Sequence, residues 1–148
     1  MKSLISKITT SATGLDTLPL RVGAGIIFSA HGAQKLFGWY GGYGLKGTAG
    51  WMSSIGLEPG MLMASMAGGA EFFGGLLLIA GLLVRPAALM LAITMVVAIA
   101  MVHLQNGLFM TNNGYEFGLA LLVISLGLIF RGAGSLSFDR LLETRLRD

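Results

Sequence analysis

The sequence predicts an all-α fold: an integral membrane four-helix bundle forming one domain over residues 1–148. Composition gives the first reason. Hydrophobic residues are 54% of the chain and charged residues 11%, against about 25% charged in soluble domains, and the mean hydropathy is +0.76. Pattern gives the second. Four stretches come near the roughly 20 residues that a ~30 Å bilayer core requires, at Leu18–Phe37, Met61–Leu83, Pro86–Asn106 and Tyr115–Phe130. This composition argues against a soluble enzyme, a disordered segment and any nucleic-acid partner, and makes the lipid bilayer the expected surrounding. The pI of 9.6 rests on ten Lys+Arg against seven Asp+Glu, a surplus that in a membrane protein sets orientation. With no cysteine, disulfides, thiolate metal sites and thiol redox couples are excluded. Twenty-three glycines and nine methionines suit close helix packing in lipid.

The elements follow in order. Met1–Asp16 holds Leu4, Ile5 and Ile8 but no long apolar core, so it does not read as a signal peptide. Arg21, near the start of span one, reads as a structural anchor that snorkels to headgroups. The 22 residues from Gly38 to Pro59 include seven glycines with Trp39, Tyr40, Tyr43 and Trp51. They read as an aromatic headgroup belt or, given their length, as a lid. The Val84-Arg85-Pro86 link makes spans two and three a tight antiparallel hairpin, with Pro86 in a first helical turn, where its missing N–H costs nothing. Asn112, Asn113 and Gly114 supply turn and N-cap chemistry for span four. In the tail, Phe138, Leu141, Leu142 and Leu146 recur at helical spacing among Arg140, Arg145 and Arg147. This reads as a short cytoplasmic amphipathic helix on anionic headgroups, with a frayed solvated tail as the alternative. No internal repeat is evident.

Loop charges orient the spans. Lys2, Lys7, Arg85, Arg131, Arg140, Arg145 and Arg147 fall at one end, and Lys46 with Lys35 at the other. The positive-inside rule then places both termini in the cytoplasm, with the Gly38–Pro59 loop periplasmic.

Ionisable side chains inside a membrane are costly and face the bundle interior, so each marks a candidate site. At ~1.5 Å per residue, His31 lies about 9 Å inside the outer end of span one, with Lys35 a turn above it. Glu71 lies about 15 Å below the outer end of span two and His103 about 5 Å inside span three. Glu116 opens span four. All five therefore fall in the outer half. His31 and Lys35 share a helix face. Ala67, Gly68, Gly74 and Gly75 beside Glu71 mark a stripe of close helix approach, and so does Gly114-x-x-x-Gly118. Gly25-x-x-x-Ser29 is a similar pattern, and these pairs could close helices within the chain or between subunits, so the oligomeric state stays open.

Two imidazoles and two carboxylates can exchange protons with a quinone or phenol near neutral pH. In that reading Glu71 and His31 form a catalytic proton relay, Lys35 holds an anionic oxygen, and His103 and Glu116 line the entrance. Three alternatives use the same groups. His31, Glu71, His103 and Glu116 could ligate a metal such as zinc or non-haem iron. His31 and His103 could ligate haem. All five could form a purely structural hydrogen-bond network.

Arg21-Val-Gly with Phe28, then His31-Gly-x-x-Lys35-Leu-Phe-Gly and Gly41-Gly42, resemble the first-span signature of the DoxX family of small bacterial membrane proteins. Further matches are Gly56 with Pro59, Glu71-Phe-Phe-Gly-Gly-Leu, Gly81 ahead of Arg85-Pro, His103 with Gly107 and Phe109, Gly114-x-Glu116, and Ser137-Phe-Asp139. The similarity spans about residues 19 to 139. The resemblance implies a four-helix inner-membrane protein in which His31, Lys35, Glu71, His103 and Glu116 occupy recurrent polar positions. Relatives include a membrane subunit of a thiosulfate–quinone oxidoreductase, and others associate with sulfur metabolism, superoxide detoxification, or catechol and quinone stress. The expectation is a redox-associated subunit with an outward-facing pocket for a quinone, catechol or similar molecule. It offers proton-transfer groups but no electron carrier, so it needs a bound cofactor or a redox partner protein. A non-catalytic scaffold or assembly factor is the competing reading, and a small transporter a third.

Overall fold

The computed structural model describes residues 14–147, an all-α chain with no strand among the described residues. The opening segment with Lys2 and Lys7, and the side chains of Leu146 and Arg147, lie outside what is described. The helices are α1 (Thr17–Phe37), α2 (Gly44–Ser54), α3 (Gly60–Ala80), α4 (Val84–Ala98), α5 (Glu116–Arg131) and α6 (Phe138–Arg147). Beyond Ala98, α4 continues through a π turn at Ile99–His103 and a 3-10 turn at Leu104–Asn106. Gly60–Ala80 and Val84–Asn106 are long and apolar enough to cross a membrane. Large apolar side chains such as Ile26, Phe73, Ile93, Val123 and Phe130 are exposed, an outer shell that water would not favour.

Small residues set the closest helix pair. A Cβ on Gly32 would lie 2.3 Å from the Phe72 backbone nitrogen, and one on Gly75 would lie 2.6 Å from the Gly25 carbonyl oxygen. The Ser29 hydroxyl, between Gly25 and Gly32, donates to the Phe72 carbonyl at 3.4 Å. Gly25-x-x-x-Ser29 therefore closes α1 on α3 within the chain. Gly114-x-x-x-Gly118 works otherwise: a Cβ on Gly114 would meet the Gly107 carbonyl oxygen at 2.3 Å, and one on Gly118 would meet the Ile99 side chain at 3.1 Å. The core between the helices is built from Ala24, Phe28, Leu78, Leu91, Leu121 and Leu128.

Three expectations need correction. First, Val84-Arg85-Pro86 is no link; it forms the first turn of α4, and the connection is Gly81-Leu82-Leu83. Gly81, at φ 69, ends α3 with its N–H on Leu77 and Leu78 carbonyls. The α4 N-terminus starts where Asp139 supplies acceptors: its Oδ1 takes the Leu83 N–H at 2.8 Å and its Oδ2 the Val84 N–H at 3.0 Å. Second, Arg21 does not snorkel. It is 2% exposed, and its guanidinium donates to the carbonyls of Leu78, Ile79, Ala133 and Leu136. Planar donors on a fixed fork suit several carbonyls at once, and here they tie the start of α1 to the ends of α3 and α5. Third, the Gly38–Pro59 segment is not irregular, because α2 occupies its middle. Ala49 and Met52 of α2 pack on Ala64 of α3, with Leu45, Leu57 and Met63 around them.

Candidate functional site

Lys35 and Glu71 meet across the α1–α3 crossing. The Lys35 Nζ donates to Glu71 Oε2 at 2.5 Å, and the Glu71 side chain is 4% exposed against 25% for Lys35. Sequence local to α3 makes the pairing possible. Gly68, one turn before Phe72, leaves room for the Lys35 stem, since a Cβ there would lie 3.2 Å from the Lys35 Cβ and 2.8 Å from Leu36. A carboxylate so deeply buried is retained only when paired, and Lys35 supplies that partner. His31, one turn earlier on α1, is within electrostatic reach of both charges, while the Gln34 side chain donates to the Tyr40 carbonyl at 3.3 Å.

Lys35 also lines a cavity of about 490 Å³, together with Gln34, Tyr43, Thr48, Trp51 and three glycines of the Gly41–Gly47 stretch. The cavity lies between the last turn of α1 and the segment running into α2. Gly38 at φ 73 ends α1 in the left-handed region, and Tyr40 (φ 53), Gly41 (φ 78) and Gly44 (φ 67) continue the reversal. The chain thereby folds back over its own helix, and the Thr48 hydroxyl donates to the Lys35 carbonyl at 3.3 Å. Lys35 is the charged side chain among those lining the cavity, and Tyr43 and Trp51 are its aromatic walls. Such a site offers one cationic donor, an amide, a hydroxyl and two flat apolar faces. It suits a planar molecule carrying an oxygen.

His103 and Glu116 belong to a second group. The His103 Nδ1–H donates to the Asn113 carbonyl at 2.9 Å, and Asn106 Nδ2 reaches the same carbonyl at 3.2 Å. Glu116 Oε1 accepts the Met110 N–H at 2.7 Å. Asn113 takes the left-handed turn (φ 60), as its residue type suggests. The residue before α5 is Tyr115, with no side-chain cap, so the cap expected of the asparagines is absent. The His103 and Glu116 side chains thus hold the 107–116 connection. His31 and Phe117 rings, with centroids 6.1 Å apart, link this group to the first. Of the five residues singled out, the structure brings Lys35 and Glu71 into contact with His31 nearby, and ties His103 and Glu116 to backbone. The metal alternative finds no assembled ligand set: among the described residues, no three His, Asp or Glu side chains are grouped to hold a metal ion.

Sequence reasoning missed Gln34 and Thr48 altogether, and it read Tyr43 and Trp51 only as belt or lid residues. Asp139 was noted only within a motif, although it is 1% exposed and its carboxyl organises a helix start.

Comparison with curated proteins and with solved structures returned no match. The family model described as DoxX matches residues 17–104, from the first residue of α1 to just past His103, and so includes His31, Lys35 and Glu71. With the match covering more than half the chain, the protein belongs to the DoxX family and is a membrane protein of that family.

Proposed function

We propose that the chain is a redox-associated inner-membrane subunit that binds a quinone, a catechol or a similar planar molecule over the Lys35–Glu71 pair. In this reading α1, α3, α4 and α5 cross the bilayer, both termini are cytoplasmic, and the cavity faces outward. The basic residues Arg85, Arg131, Arg140 and Arg145 support that orientation, because the bonds of Arg21 and Asp139 gather the chain near them at one end of the bundle.

The observation that carries the proposal is a cavity of about 490 Å³ whose charged lining group is Lys35, itself paired to a buried carboxylate. Lys35 donates to a ligand oxygen and Glu71, out of the cavity's reach, acts through Lys35 as counter-charge and proton acceptor. His31 completes the relay from the preceding turn, while His103 and Glu116 hold the 107–116 connection. Tyr43 and Trp51 stack on the ligand, and the α2 segment closes over it. The chain's own groups move protons; electrons come from a redox partner protein or a bound cofactor.

Glu71→Gln tests this directly. It is expected to weaken binding of a water-soluble quinone analogue about tenfold, because Lys35 loses the counter-charge that holds its Nζ at the cavity wall, with helical content by circular dichroism unchanged.

A scaffold or assembly role is the second reading, and one observation favours it: Arg21, Asp139, His103 and Glu116 all spend their polar atoms on backbone. If Glu71→Gln unfolds the bundle and no analogue binds the native protein, that reading replaces the first.

A further inference from the structure

α6 presents three faces at about 100° per residue. Asp139 and Glu143 are four apart and buried, at 1% and 2% exposure. Phe138, Leu141 and Leu142 are exposed at 56%, 59% and 40%, and Arg145 falls on their stripe. Arg140 and Thr144 lie between these two faces. For a helix in water this is inside out, because its carboxylates face the protein and its apolar side chains do not. Both acids are engaged: Asp139 with the Leu83 and Val84 N–H groups, and Glu143 with the Arg140 guanidinium at 2.9 Å. The outward orientation is therefore fixed, and the apolar stripe cannot roll inward without breaking the α4 start.

Below the stripe lies a notch of about 290 Å³ bounded by Ala80, Leu136, Phe138 and Leu141. Its serines are occupied elsewhere: Ser135 Oγ accepts the Gly14 N–H and Ser137 Oγ donates to the Gly134 carbonyl. What remains is apolar, open, and continuous at Ala80 with the end of α3, a helix apolar enough to cross a membrane. The exposed charge on the stripe is cationic.

We infer that α6 and this notch bind an anionic phospholipid of the adjoining leaflet. Its acyl chain lies against Leu136, Phe138 and Leu141, and its phosphate is held by Arg145. A three-faced helix fits that position, with one face to protein, one to lipid and one to water, and arginine near the surface attracts anionic headgroups. This site is separate from the cavity at Lys35 and does not depend on it.

Because the chain has no cysteine, single-cysteine variants of the full-length protein can carry a nitroxide. In nanodiscs of phosphatidylglycerol, a label at Leu141→Cys is expected to collide with oxygen, relative to an aqueous nickel chelate, severalfold more than one at Thr144→Cys. Phe138→Cys repeats the reading should Leu141→Cys fold poorly. In mixed phosphatidylglycerol and phosphatidylcholine nanodiscs, native mass spectrometry is expected to show preferential retention of phosphatidylglycerol, and Arg145→Gln to lower that preference severalfold. Equal aqueous access at 141 and 144, equal retention of the two lipids, or spin–spin broadening at 141 showing that a second copy covers the stripe would each overturn the inference.

Discussion

Glu71 can sit in an apolar helix because Lys35 reaches it from α1 with its Nζ 2.5 Å away. The two are unequal: Lys35 is a quarter exposed and can turn to water, while Glu71 is sealed. Lys35→Met is therefore the severe change, leaving a buried carboxylate alone, and should cost about 3–5 kcal/mol. Adding Glu71→Gln to it should recover most of that loss in thermal denaturation. Asp139 acts through two short backbone bonds, and Asp139→Ala should cost about 2–4 kcal/mol by orphaning the Leu83 and Val84 N–H groups. Burial raises the Asp139 carboxyl above its ordinary 3.8, against the opposing pull of those N–H groups, Arg21 and Arg85. A raised carboxyl takes up a proton in the folded protein before it does so in the unfolded one. Its contribution is thus fully present below pH 3.8 and lost as pH rises through the higher folded value. Wild type should accordingly lose more stability than Asp139→Asn between pH 4 and neutrality, measured by denaturation midpoints in detergent. Part of this can be read from the residues: a carboxylate at Glu71's depth either carries a proton or pairs with a cation, and His31 and Lys35 are the two cations available, of which the structure pairs Lys35. The roles of Arg21 and Asp139 cannot, because their partners are carbonyls and amides that no sequence pattern marks.

At the scale of elements, glycine spacing decides what packs. A Cβ on Gly32 would collide with the Phe72 backbone, whereas one on Gly69 meets nothing within 4 Å. Gly32→Ala should force α1 and α3 apart and cost about 2–3 kcal/mol. Gly69→Ala should be neutral or stabilise by up to about 1 kcal/mol through helix propensity. Chemical denaturation of the pair side by side checks the contrast. The small-residue stripe around Glu71 was legible because lipid offers glycine no reason to recur. α2 was not legible, since Gly44, Gly47 and Gly50 all speak against a helix; Ala49 and Met52 packed on Ala64 hold it against propensity. The π turn at Ile99–His103 likewise has no sequence signature, and it replaces α-helical geometry where span three was expected to run on to Asn106.

For the whole molecule, the direction in which each side chain turns was not legible. A fixed rise per residue put five ionisable groups at similar heights, but which way each side chain turns depends on helix rotation and on neighbouring loops. The result is one pair with His31 beside it, and a separate pair holding the 107–116 connection. The four-span orientation makes its own prediction: Lys46→Cys in intact cells should react with a membrane-impermeant maleimide, and Thr144→Cys only after permeabilisation. The central claim concerns the cavity, and its two-tryptophan chain provides the probe. With Trp39→Phe, Trp51 reports alone from the cavity wall. Titration with a water-soluble quinone analogue should quench Trp51 saturably, and the quench should vanish in the Lys35→Met/Glu71→Gln background while helical content is unchanged. Quenching that never saturates, or that survives removal of the pair, would contradict the account.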